Sequence, residues 1–236
     1  NYGEMLEEAR PQLTDGGHLQ SIVMLGEQLD DSIPWDMMLE RGSDVSDEEL
    51  NNRRAQVNVE DRMMLAYTSG TTGHPKGVIH CHKPVRNTYE RAMLLGHNRN
   101  DVHMSYLPLF HAYGFSEVAM MTALTGGSQV LFDVFEPAEV LDAVEEEGGT
   151  VLHGFDSHWS DLIREQQQRQ RDVTSLRVGT LPAGMESTIP IARQVQDLFC
   201  PTTSGFGMSE SWAFIASSHV SDTLEQRTEA SGYPMY

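Results

Sequence analysis

Residues 129–181 read QVLFDVFEPAEVLDAVEEEGGTVLHGFDSHWSDLIREQQQRQRDVTSLRVGTL. Three short apolar runs in this stretch predict strands, at 129–135, 150–155 and 176–181. A helix that opens at Pro137 and a second helix over 157–167 separate these strands. Strands that alternate with helices favour parallel βαβ units with right-handed crossovers. The stretch therefore predicts an α/β fold in which ligands bind at the carboxyl ends of the strands.

The same alternation extends on both sides of this stretch. Downstream, residues 187–199 predict a helix with one apolar side. Upstream, MMLAY at 63–67 predicts a buried strand that leads into a loop, and VIHCH at 78–82 predicts the returning strand. Further helices are expected from Pro84 and from Phe115.

Residues 1–60 are polar and acidic and indicate a lead-in to the residues at 61–236. Within the lead-in, Ser46 followed by Glu49 has the spacing of a capping box, which predicts that a short helix starts there. Trp159, on the helix over 157–167, is expected to be a buried aromatic anchor. His97 and His103 are expected to be exposed.

Acidic residues outnumber basic residues by 35 to 16, which gives a formal net charge of −19. This charge repels nucleic-acid backbones and anionic headgroups, so nucleic acid is not an expected partner. A nucleotide would need to be held locally by backbone N–H groups, hydroxyls, a metal ion and one or two cations. The apolar runs are too short for a transmembrane segment. Cys81 and Cys200 lack CxxC spacing, which indicates a reducing, cytoplasmic compartment.

The residues richest in chemistry are YTSGTTGHPKG at 67–77. Glycines allow backbone N–H groups to face a ligand, hydroxyls donate to phosphate oxygens, and Lys76 adds a positive charge. The loop lacks the GxxxxGK[ST] and GxGxxG patterns of the common nucleotide loops. A flexible surface turn is the alternative reading, but eleven such positions after a predicted buried strand favour a polyphosphate cradle. The predicted contact residues are Thr68, Ser69, Gly70, Thr71, Thr72, Gly73 and Lys76.

At this loop the sequence resembles the adenylate-forming superfamily, which includes acyl-CoA and aryl-CoA ligases, beetle luciferases and peptide-synthetase adenylation domains. Three further segments are similar to family segments in the same order: LPLFHAYGF at 107–115, VGTLPAGME at 178–186 and GFGMSE at 205–210. The resemblance implies that a carboxylic acid is activated with ATP and Mg²⁺ to an acyl-adenylate, which CoA then converts to a thioester. It extends from about residue 20 to the end of the chain.

By this resemblance, the loop 68–73 with Lys76 would bind the β- and γ-phosphates, and Glu210 would bind Mg²⁺. Ser209 replaces the family's Thr at the α-phosphate, and Phe206 replaces the Tyr that stacks on adenine. His111 would lie beside the acyl carbonyl. The remaining implied positions are Gly184, Met185, Glu186, Gly205 and Gly207 for the nucleotide, and Phe115 and Met208 with His111 for the acid. The segment around Gly184 departs from the family's phrase by one residue upstream.

The resemblance also implies that residues 1–236 are the central part of one large N-terminal domain, incomplete at both ends. A C-terminal domain with a catalytic lysine is expected on the same polypeptide, so the chain alone is expected to have little or no ligase activity. Three alternatives stay open: a peptide-synthetase branch, a luciferase-like branch, and a nucleotide-binding module without catalysis. His80, Cys81 and His82 are discounted as a metal site, because a strand points His80 and Cys81 to opposite faces.

Overall fold

The computed structural model describes residues 2–14, 19–26, 28–69 and 73–235. The chain forms two compact units, Asn1–Asn58 and Val59–Tyr236. The described elements of the first unit are α1 (Tyr2–Thr14), the parallel pair β1 (Val23–Met24) and β2 (Ile33–Pro34), α2 (Trp35–Gly42) and α3 (Asp47–Gln56). The Ser46 side chain accepts the Glu49 N–H at 3.1 Å, so the predicted helix start is confirmed. None of the described helices is both long and apolar enough to cross a bilayer.

The second unit begins with an antiparallel hairpin of β3 (Arg62–Thr68) and β4 (Lys76–Cys81), followed by α4 (Lys83–Leu94). The prediction that the first of these strands is buried was wrong. Only Ala66 of β3 is buried, while Leu65 is 52% and Tyr67 70% exposed. In the described part of the chain β3 pairs with β4 alone, and a two-stranded ribbon leaves one face uncovered.

A five-stranded parallel sheet forms the centre of the second unit, which confirms the α/β prediction. Its strands are β5 (Val102–Ser105), β6 (Ser128–Leu131), β7 (Val151–His153), β8 (Val178–Thr180) and β9 (Thr202–Thr203), in the order β6-β5-β7-β8-β9. The connections contain a π-helical segment (Gly114–Met120) that continues as α5 (Met121–Thr125), then α6 (Pro137–Glu147), α7 (Asp156–Gln168) and α8 (Ile189–Leu198). The strand predicted over 129–135 is shorter than expected, because β6 lies at the sheet edge and has one neighbour.

The main core lies between this sheet and its helices. Trp159 of α7 is fully buried and donates its indole N–H to the Thr180 carbonyl at 3.3 Å, so its prediction as an anchor is confirmed. Gly179 lets β8 approach β7 closely, since a Cβ at this position would lie 2.1 Å from the Leu152 carbonyl oxygen. Packing of this density tolerates no added atom without a backbone shift.

A three-stranded antiparallel sheet completes the unit. It consists of β10 (Gly205–Met208), β11 (Ala213–Ser217) and β12 (Tyr233–Pro234), with a 3₁₀ turn at Ser209–Ser211 and α9 (Leu224–Thr228) in its connections.

The expectation that His97 and His103 are exposed was wrong. His97 is 3% exposed and His103 is completely buried. His103 lies on β5, whose two edges pair with β6 and β7, and its ring packs beside the rings of His97 and His153 with centroids 4.9 and 6.1 Å away. His97 follows α4 and contacts the buried Asp101 and the side chain of Arg177.

Candidate functional site

The segment GFGMSE at 205–210 occupies β10 and the 3₁₀ turn after it. Residues 205–209 of this segment border a cleft of about 250 Å³, and Glu210 does not line it. Candidate residues that line this cleft are His111, Gly205, Phe206, Gly207, Met208 and Ser209. Two segments almost a hundred residues apart are therefore brought to one cavity. Phe206 is 49% and Met208 44% exposed, so both side chains are open to a ligand.

The glycines of this segment have a packing reason. A Cβ on Gly207 would lie 1.8 Å from the Ala213 carbonyl oxygen, and one on Gly205 would lie 2.6 Å from the Ala216 carbonyl oxygen. The ladder between β10 and β11 also shifts register between Phe206 and Gly207. The close approach of the two strands thus sets the wall of the cleft, and only glycine allows it.

His111 lies at the mouth of the cleft, just before the π-helical segment. Its Nδ1 accepts the backbone N–H of Tyr113 at 3.1 Å, and its ring is edge-on to Phe155 with centroids 6.0 Å apart. Because Nδ1 accepts, the neutral ring carries its proton on Nε2. The His111 ring can therefore donate one hydrogen bond from Nε2 to an acceptor in the cleft.

The remaining wall of the cleft is apolar and aromatic. Tyr113, Phe155 and Phe214 contribute to it, and the ring of Tyr113 is edge-on to both phenylalanines at 5.0 and 5.4 Å. These edge-to-face contacts hold the rings in fixed orientations. A cavity with such a wall and few polar groups suits the apolar body of a small ligand.

The described phosphate-loop candidates lie at the end of β3, at the start of β4 and in the residues beside them. Gly70, Thr71 and Thr72 fall outside the described residues. Of the others, Thr68 is half-buried and pairs in register with Lys76, while Ser69, Gly73 and Lys76 are exposed. Gly73 has a φ of 89°, a conformation that favours glycine. Lys76 is therefore at the surface with its side chain free to reach a ligand beside the tip.

His80 connects this hairpin to the turn that carries Ser209 and Glu210. Its Nε2 lies 2.7 Å from the Ser209 carbonyl oxygen, so Nε2–H donates to it. The His80 ring also meets Trp212 edge-on, with centroids 4.9 Å apart. The sequence reading considered His80 only as a metal ligand. In the structure His80 is buried while Ile79 is exposed, and alternation along VIHCH does not show which side of β4 faces inward, since both sides carry apolar residues.

The turn contains two residues with strained backbone, and the buried side chain of Trp212 fixes its position. Trp212 and Ala213 have φ angles of 59° and 67°, in the left-handed region that costs about 1–3 kcal/mol for each such residue. The indole N–H of Trp212 donates to Thr88 Oγ1 of α4 at 3.0 Å. Ser209 is half-buried, whereas Glu210 is exposed.

The other described candidate residues, Phe115 and 184–186, do not line the cleft. Phe115 packs edge-on against Trp212 at 5.7 Å and does not line the cleft. Pro182 borders the cleft, but Gly184, Met185 and Glu186 continue into an exposed turn. Gly184 has a φ of 109°, and a Cβ there would lie 3.3 Å from Ser231 Oγ.

The sequence and the fold of the chain have known counterparts. The family described as AMP-binding enzyme matches residues 6–236, so the chain belongs to this family of adenylate-forming enzymes. The chain is 26% identical over 243 residues to the acyl-CoA ligase sidI of Aspergillus fumigatus, covering 98% of this chain and 40% of that protein. It is 31% identical over 155 residues to a feruloyl-CoA synthase of Amycolatopsis, covering 65% of this chain and 31% of that protein.

Solved structures agree on the fold. The anthranilate CoA ligase AuaEII, in complex with anthranoyl-AMP, superposes with a TM-score of 0.79 at 23% identity, over 98% of this chain and 43% of that one. The O-succinylbenzoate CoA synthetase of Bacillus subtilis, in complex with ATP and magnesium, superposes with a TM-score of 0.63 at 26% identity, over 76% and 37%. The chain spans about two fifths of the length of the curated relatives it matches first.

Proposed function

We propose that the chain is the phosphate- and acid-binding part of an enzyme that uses ATP to activate a carboxylic acid and then transfers the acyl group to CoA. The observation that carries this proposal is the cleft shared by His111 and residues 205–209, with the phosphate-loop hairpin bonded to its rim through His80 and Ser209. The names of the relatives, which are acyl-CoA and aryl-CoA ligases, support the same reaction class.

In this proposal, the site overcomes the repulsion between a carboxylate and the α-phosphate. Lys76 and the hydroxyls of the hairpin tip bind the β- and γ-phosphates, and Ser209 donates to the α-phosphate. The Nε2–H of His111 donates to the carbonyl oxygen of the acid. Fixed donors of this kind stabilise charge as it develops and contribute more than covalent catalysis would in such a transfer.

Glu210 fits the role of a Mg²⁺ ligand because its carboxylate is exposed beside Ser209, and Mg²⁺ prefers oxygen ligands while it keeps several waters. When bound, Mg²⁺ would neutralise charge on the phosphates. Phe206 offers an exposed ring face for adenine. The tyrosine and phenylalanine wall favours an acid with an apolar body, fatty or aromatic.

The proposal extends to the whole protein. We place residues 1–236 in the N-terminal domain, with a C-terminal domain on the same polypeptide completing the active site. The net charge of −19 favours small-molecule partners, ATP, CoA and the acid, over nucleic acid. Two free cysteines accord with a cytoplasmic location.

The first test measures nucleotide binding by the chain itself. MgATP affinity is expected to fall for Lys76→Ala and Glu210→Gln. Two variants serve as matched controls, because their residues are exposed and lie outside the loop and the turn: Lys83→Ala, whose lysine pairs with Glu60 at 2.6 Å, and Glu225→Gln in α9. Equal affinity in all four variants would contradict the proposed phosphate site.

The second test measures chemistry in the complete polypeptide. A panel of fatty and aromatic acids is assayed for pyrophosphate exchange and for CoA thioester formation. Lys76→Ala is expected to lower exchange by about 10²–10³-fold, the range for a charge-stabilising donor. Pyrophosphate exchange without CoA thioester formation would favour a branch of the family in which the acyl acceptor is not CoA. MgATP binding without exchange for any acid would favour a nucleotide-binding module, and we expect the 236-residue chain alone to exchange little.

A further inference from the structure

A cluster of buried titratable side chains lies where the loop after α4 enters β5, and none of its three residues lines the cleft. His97, Asp101 and His103 are exposed by only 3%, 2% and 0%. One possible ligand atom from each residue lies within 4.8 Å of the other two. His97 Nδ1 is 3.5 Å from Asp101 Oδ2, and the two imidazole centroids are 4.9 Å apart. Two nitrogen donors and one oxygen donor are thus gathered at one point.

The imidazoles of this cluster carry nitrogens without hydrogen-bond partners among the described residues. These are His97 Nε2 and both ring nitrogens of His103. The ring of His153 stands close by, with centroids 5.9 and 6.1 Å from His97 and His103, and its Nε2 also lacks a partner. A buried polar atom left unpaired costs about 1–3 kcal/mol. These unpaired nitrogens therefore lower the stability of the folded chain unless a ligand binds them.

The histidines are poorly suited to take up protons. Burial, together with neighbouring positive charge, lowers the pKa of His97 to about 3, and burial lowers the pKa of His103 to about 4. Both rings are therefore neutral near pH 7, and each neutral ring has one nitrogen lone pair available for coordination.

Arg177 is the cation that now balances Asp101. Its Nε donates to Asp101 Oδ1 at 2.6 Å, and its Nη2 contacts Asp101 Oδ2 and lies 3.2 Å from His97 Nδ1. The Arg177 side chain is 34% exposed, unlike the residues around it. Its Nη1 also donates to the Leu95 carbonyl oxygen at 3.1 Å. An outward turn of the guanidinium into water would break these hydrogen bonds and open a path from solvent to the cluster.

We propose that His97, Asp101 and His103 form a binding site for a divalent transition-metal ion, with Zn²⁺ the best match, and that the ion competes with Arg177 for this position. Zn²⁺ accepts imidazole nitrogen and carboxylate oxygen at about 2.0–2.2 Å in a tetrahedral arrangement. Tetrahedral ligand atoms then lie about 3.3 Å apart, so the present spacing closes with side-chain shifts of about 1 Å. His153 or a water supplies the fourth ligand.

The net charge of the cluster differs between the state with Arg177 in place and the state with the ion bound. With Arg177 in place the cluster is neutral, because one guanidinium balances one carboxylate. With a divalent ion bound and the guanidinium in water, the ion and the Asp101 carboxylate together carry a net charge of +1, because the imidazole rings are neutral. Removal of Arg177 should therefore strengthen ion binding, whereas removal of an imidazole should abolish it. The inference does not depend on the ATP-site proposal, since none of its residues lines the cleft.

The experiment uses the EDTA-treated chain and titrates it with Zn²⁺ by calorimetry and thermal unfolding. One ion per chain is expected, and Tm should rise by about 5–10 °C at a free Zn²⁺ concentration of a hundred times the Kd. His103→Leu keeps an apolar side chain of similar bulk, and it should retain the fold while it loses the Zn²⁺-dependent rise. Arg177→Gln should bind Zn²⁺ more tightly, and His219→Ala, at a half-buried histidine in another part of the unit, should behave like the parent chain.

Binding of Co²⁺ in place of Zn²⁺ can be followed in the parent chain, so this measurement does not depend on whether a variant folds. A tetrahedral site of nitrogen and oxygen ligands should produce visible d–d absorption that Zn²⁺ abolishes. The proposal is overturned if the parent chain binds no ion and only ordered water fills the cluster. It is also overturned if His103→Leu keeps stoichiometric binding, if His219→Ala loses it, or if Arg177→Gln binds more weakly.

Discussion

Arg91 of α4 and Glu117 of the π-helical segment form an ion pair that is almost completely shielded from water. Their side chains are 4% and 1% exposed, and Arg91 Nη2 lies 2.5 Å from Glu117 Oε1. The same Nη2 donates to Ser116 Oγ at 2.8 Å and to Thr88 Oγ1 at 3.3 Å. Since Thr88 also accepts the Trp212 indole N–H, this pair supports the anchor of the turn beside the cleft.

Glu117→Gln keeps the shape of the side chain and removes its charge. The Arg91 guanidinium then stays buried without a counterion, and breaking a buried pair in this way costs about 3–5 kcal/mol. Replacing both partners with apolar residues, Arg91→Met with Glu117→Leu, removes the uncompensated charge and should recover most of that loss. The single variant is therefore expected to be less stable than the double variant.

Urea unfolding followed by tryptophan fluorescence measures this difference. A Trp35→Phe background leaves Trp159 and Trp212, both in the second unit, as the signal. With an m-value of roughly 2–3 kcal/mol/M, the midpoint of Glu117→Gln should fall by about 1–2 M.

The exposed pair of Arg86 and Glu90, 3.0 Å apart on the same helix, provides the control. Glu90→Gln should cost at most about 0.5 kcal/mol. The reasoning is refuted if Glu117→Gln loses no more stability than Glu90→Gln, or if the double variant loses as much as the single one.

Three further predictions concern other parts of the second unit. Gly179→Ala should cost about 3 kcal/mol or more, because its Cβ would lie 2.1 Å from a backbone oxygen of the neighbouring strand; a change in urea midpoint worth less than 1 kcal/mol contradicts this. His80→Ala should lower both stability, by about 1 kcal/mol, and MgATP affinity, since it frees the Ser209 turn; unchanged affinity in a titration rejects the second effect. Burial raises the pKa of the Cys200 thiol to about 12, so the free energy of unfolding should fall as pH rises from about 9 toward 12. At pH 8 a thiol reagent should label Cys81 fast and the buried Cys200 only on unfolding, and equal labelling rates would contradict this.

Local pattern explains how much of the fold was predictable. Apolar runs and apolar spacing located three of the five strands of the central sheet, β6, β7 and β8, and the helices that follow them, and α7 at Asp156–Gln168 lies within one residue of its prediction over 157–167. The strands β5 and β9 were not predicted. Strand ends were less accurate, as for β6 at Ser128–Leu131, because a strand stops where its neighbour stops. The burial of β3 was predicted wrongly for the same reason, since the cover of a strand depends on which strands pair beside it.

The candidate site divides in the same way. Residue types predicted phosphate-binding chemistry for the loop at 67–77, because its glycines, hydroxyls and lysine lie close together in the sequence. His111 and GFGMSE were predicted only through the resemblance to the family. The contact of His80 with the Ser209 carbonyl joins residues 129 positions apart, and no local signal specifies that partner.

By itself the sequence determined the alternation of strands and helices around β6, β7 and β8 and the resemblance to the family, and it predicts phosphate-binding chemistry for the loop. The tertiary structure alone decided which side chains are buried together: Arg91 with Glu117, and His97, Asp101 and His103 with Arg177. The physical reason is that periodicity reflects each segment's own geometry, while burial and ion pairing depend on long-range contacts between segments that chain crossovers bring side by side.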